Sequence, residues 1–178
     1  MKKSWLVYTI LTVGLTFLAT QSSFASNNDS TKTKIDIKRQ HTELKSKSLA
    51  EVQAEVPFSI IAPSDLPYGL VLKEVVVSHP PTGINNPKLA RAILTFASPD
   101  KKNILQVWEG KATNTIKGKG IKNKKLAINN KGAEYVLTDK IAAISWSKGD
   151  VNFFAITNPN SDISSEETLV QIAKLFKQ

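Results

Sequence analysis

The sequence predicts an α+β domain: a curved antiparallel β-sheet with a short N-terminal helix and a C-terminal helix packed on it. Two observations carry that reading. Short runs rich in valine, isoleucine and aromatic residues are separated by loops of proline, glycine and asparagine, which is the pattern of strands and turns. Serine-led segments able to cap helices stand on either side of those runs, at Ser48 and at Ser164.

In chain order, residues 1–25 come first and read as a leader. Met1-Lys2-Lys3 is followed by an apolar stretch from Trp5 to Leu18 and then by Ser23-Phe24-Ala25. A positive start, a short apolar segment and small residues before a break are the marks of a secretory signal peptide. The stretch carries Tyr8, Thr9, Thr12 and Thr16. It also falls short of the roughly 20 apolar residues that a stable membrane span needs. Cleavage after Ala25, rather than retention as an anchor, is therefore expected, with the product secreted or associated with the cell envelope.

Residues 26–47 are polar and basic, with Ile35, Ile37 and Leu44 as their apolar residues and no periodic face. So little apolar area cannot offset chain entropy, and a flexible tether is expected. A single domain is expected over 48–178. Ser48-Leu49-Ala50-Glu51 has the capping-box form, Leu49, Val52 and Val56 share a helical face, and Pro57 stops the helix.

Strand character begins at Phe58 to Ile61 and is interrupted by Pro63, Pro67 and Gly69. It resumes in the valine-rich run Leu70 to Ser78. After a loop with three prolines, Ala90–Phe96 and Asn103–Glu109 form an expected antiparallel pair across Ser98–Lys102. In the second of these, Ile104, Gln106 and Trp108 fall on one face, and Leu105, Val107 and Glu109 on the other. Three more strands are expected at Ala133–Thr138, Lys140–Ser147 and Val151–Thr157, the last two linked tightly through Lys148-Gly149-Asp150. Ser164-Ser165-Glu166-Glu167 then opens a helix whose stripe is Leu169, Ile172, Ala173 and Phe176.

Composition bounds the function. The chain has no cysteine, so disulfide-stapled scaffolds are excluded and the fold is held by burial alone. The net charge is +9; the leader takes Lys2 and Lys3 and no acid, leaving +7. Outside the cytosol the available polyanions are lipid headgroups and wall polymers, so nucleic acid is not an expected partner.

This order of elements resembles an uncharacterised bacterial extracytoplasmic domain of unknown function. That domain occurs in proteins related to anti-sigma factors and to sporulation lipoprotein-carrier-like proteins. The resemblance rests on Val56-Pro57-Phe58, Leu66-Pro67-Tyr68-Gly69 with the strand after it, Ile144-Ser145-Trp146 and the closing helix. It implies a sheet with flanking helices outside the membrane. It supplies no catalytic residue to carry over.

The residues themselves offer little catalysis. The histidines are His41 in the tether and His79 in a proline loop; no Gly-x-Ser-x-Gly elbow accompanies them, they are too few for a metal site, and no cofactor motif is present. Glu166 and Glu167 are accounted for by capping and by the helix dipole. Asp65, Glu74, Glu109 and Glu134 remain for an alternative reading, a carboxylate-dependent hydrolase acting on an envelope glycan.

The preferred reading is a non-enzymatic envelope binding or sensory module whose ligand is a peptide, a lipid or an anionic wall polymer. Its candidate site is the run Lys117, Lys119, Lys122, Lys124 and Lys125, five lysines in nine residues without an acid. Such a run can lay ammonium groups along a polyanion or membrane surface; the plainer alternative is a solvated loop. Trp108 and Trp146 alternate with aliphatic residues on strands and are expected to pack in the core rather than to stack on a sugar.

Overall fold

The computed structural model describes residues 46–80, 83–84, 86–112 and 123–176, which lie in one compact unit. The leader, His41 and most of the expected tether fall outside the described residues.

Helix α1 (Leu49–Glu55) starts as its sequence dictates. The Ser48 hydroxyl accepts from Glu51 N (3.3 Å), and Glu51 Oε2 accepts from Ser48 N (2.7 Å). The Ser48 hydroxyl, which also donates to Glu51 Oε2 (2.6 Å), and then the Ser48 amide hold the Glu51 carboxyl below its usual pKa. Val56 leaves the helix in extended conformation, as a residue before proline prefers.

The strand expected from Phe58 does not form. Residues 57–66 run as an irregular strap whose polar backbone groups are met by side chains. Gln53 Nε2 donates to Phe58 O (2.7 Å), Ile60 N donates to Gln53 Oε1 (2.8 Å) and Ile61 N donates to Glu109 Oε2 (3.0 Å). Phe58, Ile61 and Leu66 are buried beneath it. The apolar residues that suggested a strand pin the strap to the core.

Seven strands follow: β1 (Val71–Ser78), β2 (Arg91–Ala97), β3 (Ile104–Gly110), β4 (Lys124–Ile128), β5 (Lys131–Leu137), β6 (Ala142–Lys148) and β7 (Val151–Thr157). They form one antiparallel sheet in the order β1-β2-β3-β7-β6-β5-β4. Two meanders, β1 to β3 and β4 to β7, are joined where β3 pairs with β7. The edge strand β1 is interrupted by a bulge at Lys73, and its Val75 O accepts from Lys47 N (2.9 Å).

Strand β4 is not among the expected strands; its first two residues, Lys124 and Lys125, close the lysine run. It pairs with β5 through a tight turn at Asn129 and Asn130, both at positive φ (50° and 62°), which asparagine tolerates better than most residues.

Helix α2 (Glu166–Leu175) is capped by Ser165, one residue later than the expected box. Its hydroxyl accepts from Thr168 N (3.2 Å) and donates to Thr168 Oγ1 (2.9 Å), so a threonine stands where the box would place a glutamate. The expected stripe Leu169, Ile172, Ala173 and Phe176 is buried throughout.

Both helices pack on one face of the sheet, α1 over β1 and α2 over β6 and β4. Beneath α2 lies an aromatic floor. Trp146 stacks on Phe153 (5.0 Å, 8° between planes), and Phe176 meets both edge-on at 5.6 and 5.9 Å and Phe96 at 6.3 Å. Core packing of Trp146 is thereby shown. Phe176→Ala would open a cavity under three rings, so a loss of about 3–5 kcal/mol in urea unfolding is expected.

Candidate functional site

Pleating sorts the strand residues onto two faces. On the helix side one cross-strand row reads Val77, Ala92, Glu109, Phe153, Trp146, Ala133 and Leu126. On the opposite side a second row reads Val76, Ile93, Trp108, Phe154, Ser145, Glu134 and Lys125. Ile141, Ala143 and Phe154, with Trp108 and Ile156 against them, form a small apolar cluster there, to which neither described helix contributes a residue. Trp108 and Phe154 meet at 5.7 Å. Trp108 thus packs as expected, but in this second cluster.

A polar row borders this helix-free face: Ser78, Arg91, Gly110, Asn152 and Ser147. Asn152 Nδ2 donates to Lys111 O (2.9 Å), and Ser147 Oγ donates to Asn152 Oδ1 (2.7 Å). Next to it is an open hollow of about 390 Å³, whose polar lining is Lys125, Glu134, Ser145, Ser147 and Asn152. Asn123 Nδ2 donates to Glu134 Oε2 (2.9 Å) at its rim.

The structure divides the expected lysine site. Lys117, Lys119 and Lys122 lie outside the described residues. Lys124 turns to the helix side, where its Nζ sits 2.7 Å from Glu166 Oε2 and ties β4 to the start of α2. Lys125, one residue on, turns the other way into the hollow, in register with Glu134. Adjacent residues on a strand leave it toward opposite faces.

The carboxylates are likewise separated. Glu109 faces the helices, whereas Glu74 and Glu134 share the opposite face on β1 and β5, five places apart in the sheet. At about 4.8 Å per strand that is about 24 Å, far beyond the 5–9.5 Å of a glycosidase pair. Asp65 is exposed in the strap. His79 Nε2 lies 3.1 Å from Glu55 Oε2, and the same carboxylate is paired with Lys47. The neighbouring Lys47 and His79 hold the Glu55 carboxyl below its usual pKa. Among the described residues no three His, Asp or Glu side chains gather as a metal site.

Glu109 is the residue that sequence reading left unplaced and the structure marks most strongly. It is fully buried in an otherwise apolar row, one oxygen accepting from Ile61 N and the other shielded without a partner. Burial pushes its carboxyl up to about 8, against the small opposing pull of the Ile61 amide. Its alternation with Leu105 and Val107 gave its face in advance, but not what covers it.

No family model, curated protein or solved structure matches the chain.

The Glu109 carboxyl makes stability fall with rising pH. The folded chain keeps its proton between about pH 4.5 and about 8, where the unfolded chain releases it. This contribution is therefore complete below that window, and declines across it by at most about 1.4 kcal/mol per pH unit. Urea midpoints across the window should fall in the native chain and stay nearly level in Glu109→Gln, whose amide oxygen can still accept from Ile61 N.

Proposed function

We propose that the protein is a secreted, non-catalytic binding module of the cell envelope that meets its ligand on the helix-free face of the sheet. The observation that carries this reading is the hollow beside the polar row, which brings Lys125 together with Glu134 and with serine and asparagine side chains on a face free of described helices. Ammonium, hydroxyl and amide donors beside the Glu134 carboxylate, itself bonded by Asn123, suit a hydroxylated wall polymer or a lipid headgroup better than a purely apolar ligand. The leader pattern, the positive balance and the resemblance noted above support an extracytoplasmic setting.

The carboxylate-hydrolase alternative is less well supported. Glu109 has no access to a substrate, and Glu74 and Glu134 stand on strands too far apart to act together.

Two measurements test the proposal. N-terminal sequencing of the native product from envelope and medium fractions should begin at Ser26; Met1 to Ala25 intact in a cytosolic fraction would overturn the setting. The exported protein should bind purified wall or anionic vesicles at low salt and detach as salt rises. Lys125→Glu should weaken that retention several-fold without changing the melting temperature, and equal retention would remove Lys125 from the site.

A further inference from the structure

Arg39 and Arg91 are the chain's arginines; every other side-chain cation apart from histidine is a lysine. Where charge alone suffices lysine serves, so an arginine within a strand calls for a reason of its own. Arg91 lies on the helix-free face of β2, and its Nε is shielded from solvent and has no hydrogen-bond partner. Trp108, on the same face of the adjacent strand, shows the same condition at its indole Nε1. Their register places them diagonally: Arg91 faces Gly110, and Trp108 faces Ile93. Such diagonal neighbours stand about 7–8 Å apart at the backbone, within reach of two long side chains.

A shielded donor without an acceptor is destabilising, the more so when it is charged. Two of them stand on neighbouring strands of one face without an acceptor from the described chain, and an acceptor from another molecule that displaced the cover over them would satisfy both. No described carboxylate serves that role. Glu109 is turned to the opposite face by the pleat. Glu74 shares the face but lies four residues along β1 from Ser78, the partner of Arg91, which is about 13 Å away along the strand. Burial lowers the Arg91 pKa, and the guanidinium remains charged. Gly110 completes the geometry: a side-chain carbon there would sit 3.1 Å from Arg91 Cγ, so glycine gives the arginine stem room to lie across β3.

We propose that Arg91 and Trp108 form a subsite for an oxyanion, a carboxylate or phosphate group, held jointly by the guanidinium and the indole N–H. The subsite rests on the envelope-binding reading and deepens it by naming the group that anchors the ligand. The polar row running from Arg91 through Gly110 to Asn152 connects it with the hollow that holds Lys125.

Both donors are directly visible as Arg Nε–H and Trp Nε1–H signals in the ¹⁵N–¹H spectrum of the full chain. Titration with inorganic phosphate, and separately with acetate, at constant ionic strength set with chloride, should move the Arg91 and Trp108 signals along one saturating curve. The Trp146 indole, stacked on Phe153, should stay still. Arg91→Lys keeps the charge but loses the fork, and should weaken the Trp108 response about tenfold. Gly110→Ala should weaken both responses.

Signals that move no further than in chloride, or that follow different curves, would overturn the subsite. So would an undiminished Trp108 response in a folded Arg91→Lys chain. Retention of the native and Arg91→Lys chains on phosphatidylglycerol vesicles and on purified wall separates the sources: a loss confined to vesicles assigns the oxyanion to a lipid headgroup, and one confined to wall to a wall polymer. Coupled signal shifts without retention on either surface would support the subsite and sink the envelope reading. Salt-dependent retention with motionless signals would do the reverse.

Discussion

The strict two-residue alternation of β2, β3, β6 and β7 is the constraint on which the rest of the structure depends. A sheet has two sides, and each strand position commits its side chain to one of them. In β3 this puts Leu105, Val107 and Glu109 under the helices and Trp108 on the reverse. A slip of one residue would exchange those sets, burying glutamine and exposing the floor on which Phe176 rests. The stacked Trp146 and Phe153 on adjacent strands help hold the register, because flat ring contact at 5.0 Å requires them directly opposite each other.

Much of this was legible in the sequence because it is local. The capping box at Ser48, the stripe of α2, the sidedness of Trp108 and Trp146 and the tight link at Gly149 all follow from spacing over a few residues. What could not be read depends on partners distant in the chain. Phe58 to Ile61 looked like a strand because its apolar residues are buried, yet its amides are met by Gln53 and Glu109, the latter 48 residues away. Strand β4 was hidden by its lysines, whose charge outweighed the alternation of Leu126 and Ile128. That Arg91 Nε lacks an acceptor shows only once the register reveals that no described acid faces it. The arginine-for-lysine choice was the signal available beforehand.

The strap and the sheet are coupled through a single carboxyl. Glu109 gives Ile61 the acceptor that a neighbouring strand would otherwise supply, and its placement among Ala92, Phe153 and Val77 keeps it protonated at neutral pH. A glutamine would provide the same acceptor without a titrating group, so the fold itself does not demand the acid. The strap is therefore tied to the sheet by a bond whose strength varies with the medium, in a chain that has no disulfide to do the same work.

An open seven-stranded sheet has two free margins, and each is a template on which another chain could add itself. The bulge at Lys73 breaks the spacing of one margin, and Lys47 occupies part of it by donating to Val75 O. The other margin is β4, which sends Lys124 and Lys125 out to opposite sides. A newcomer would meet a broken ladder at one end and like charge at the other. Stacking of copies into filaments is opposed at both ends, so the molecule can reach high local concentration while staying dispersed.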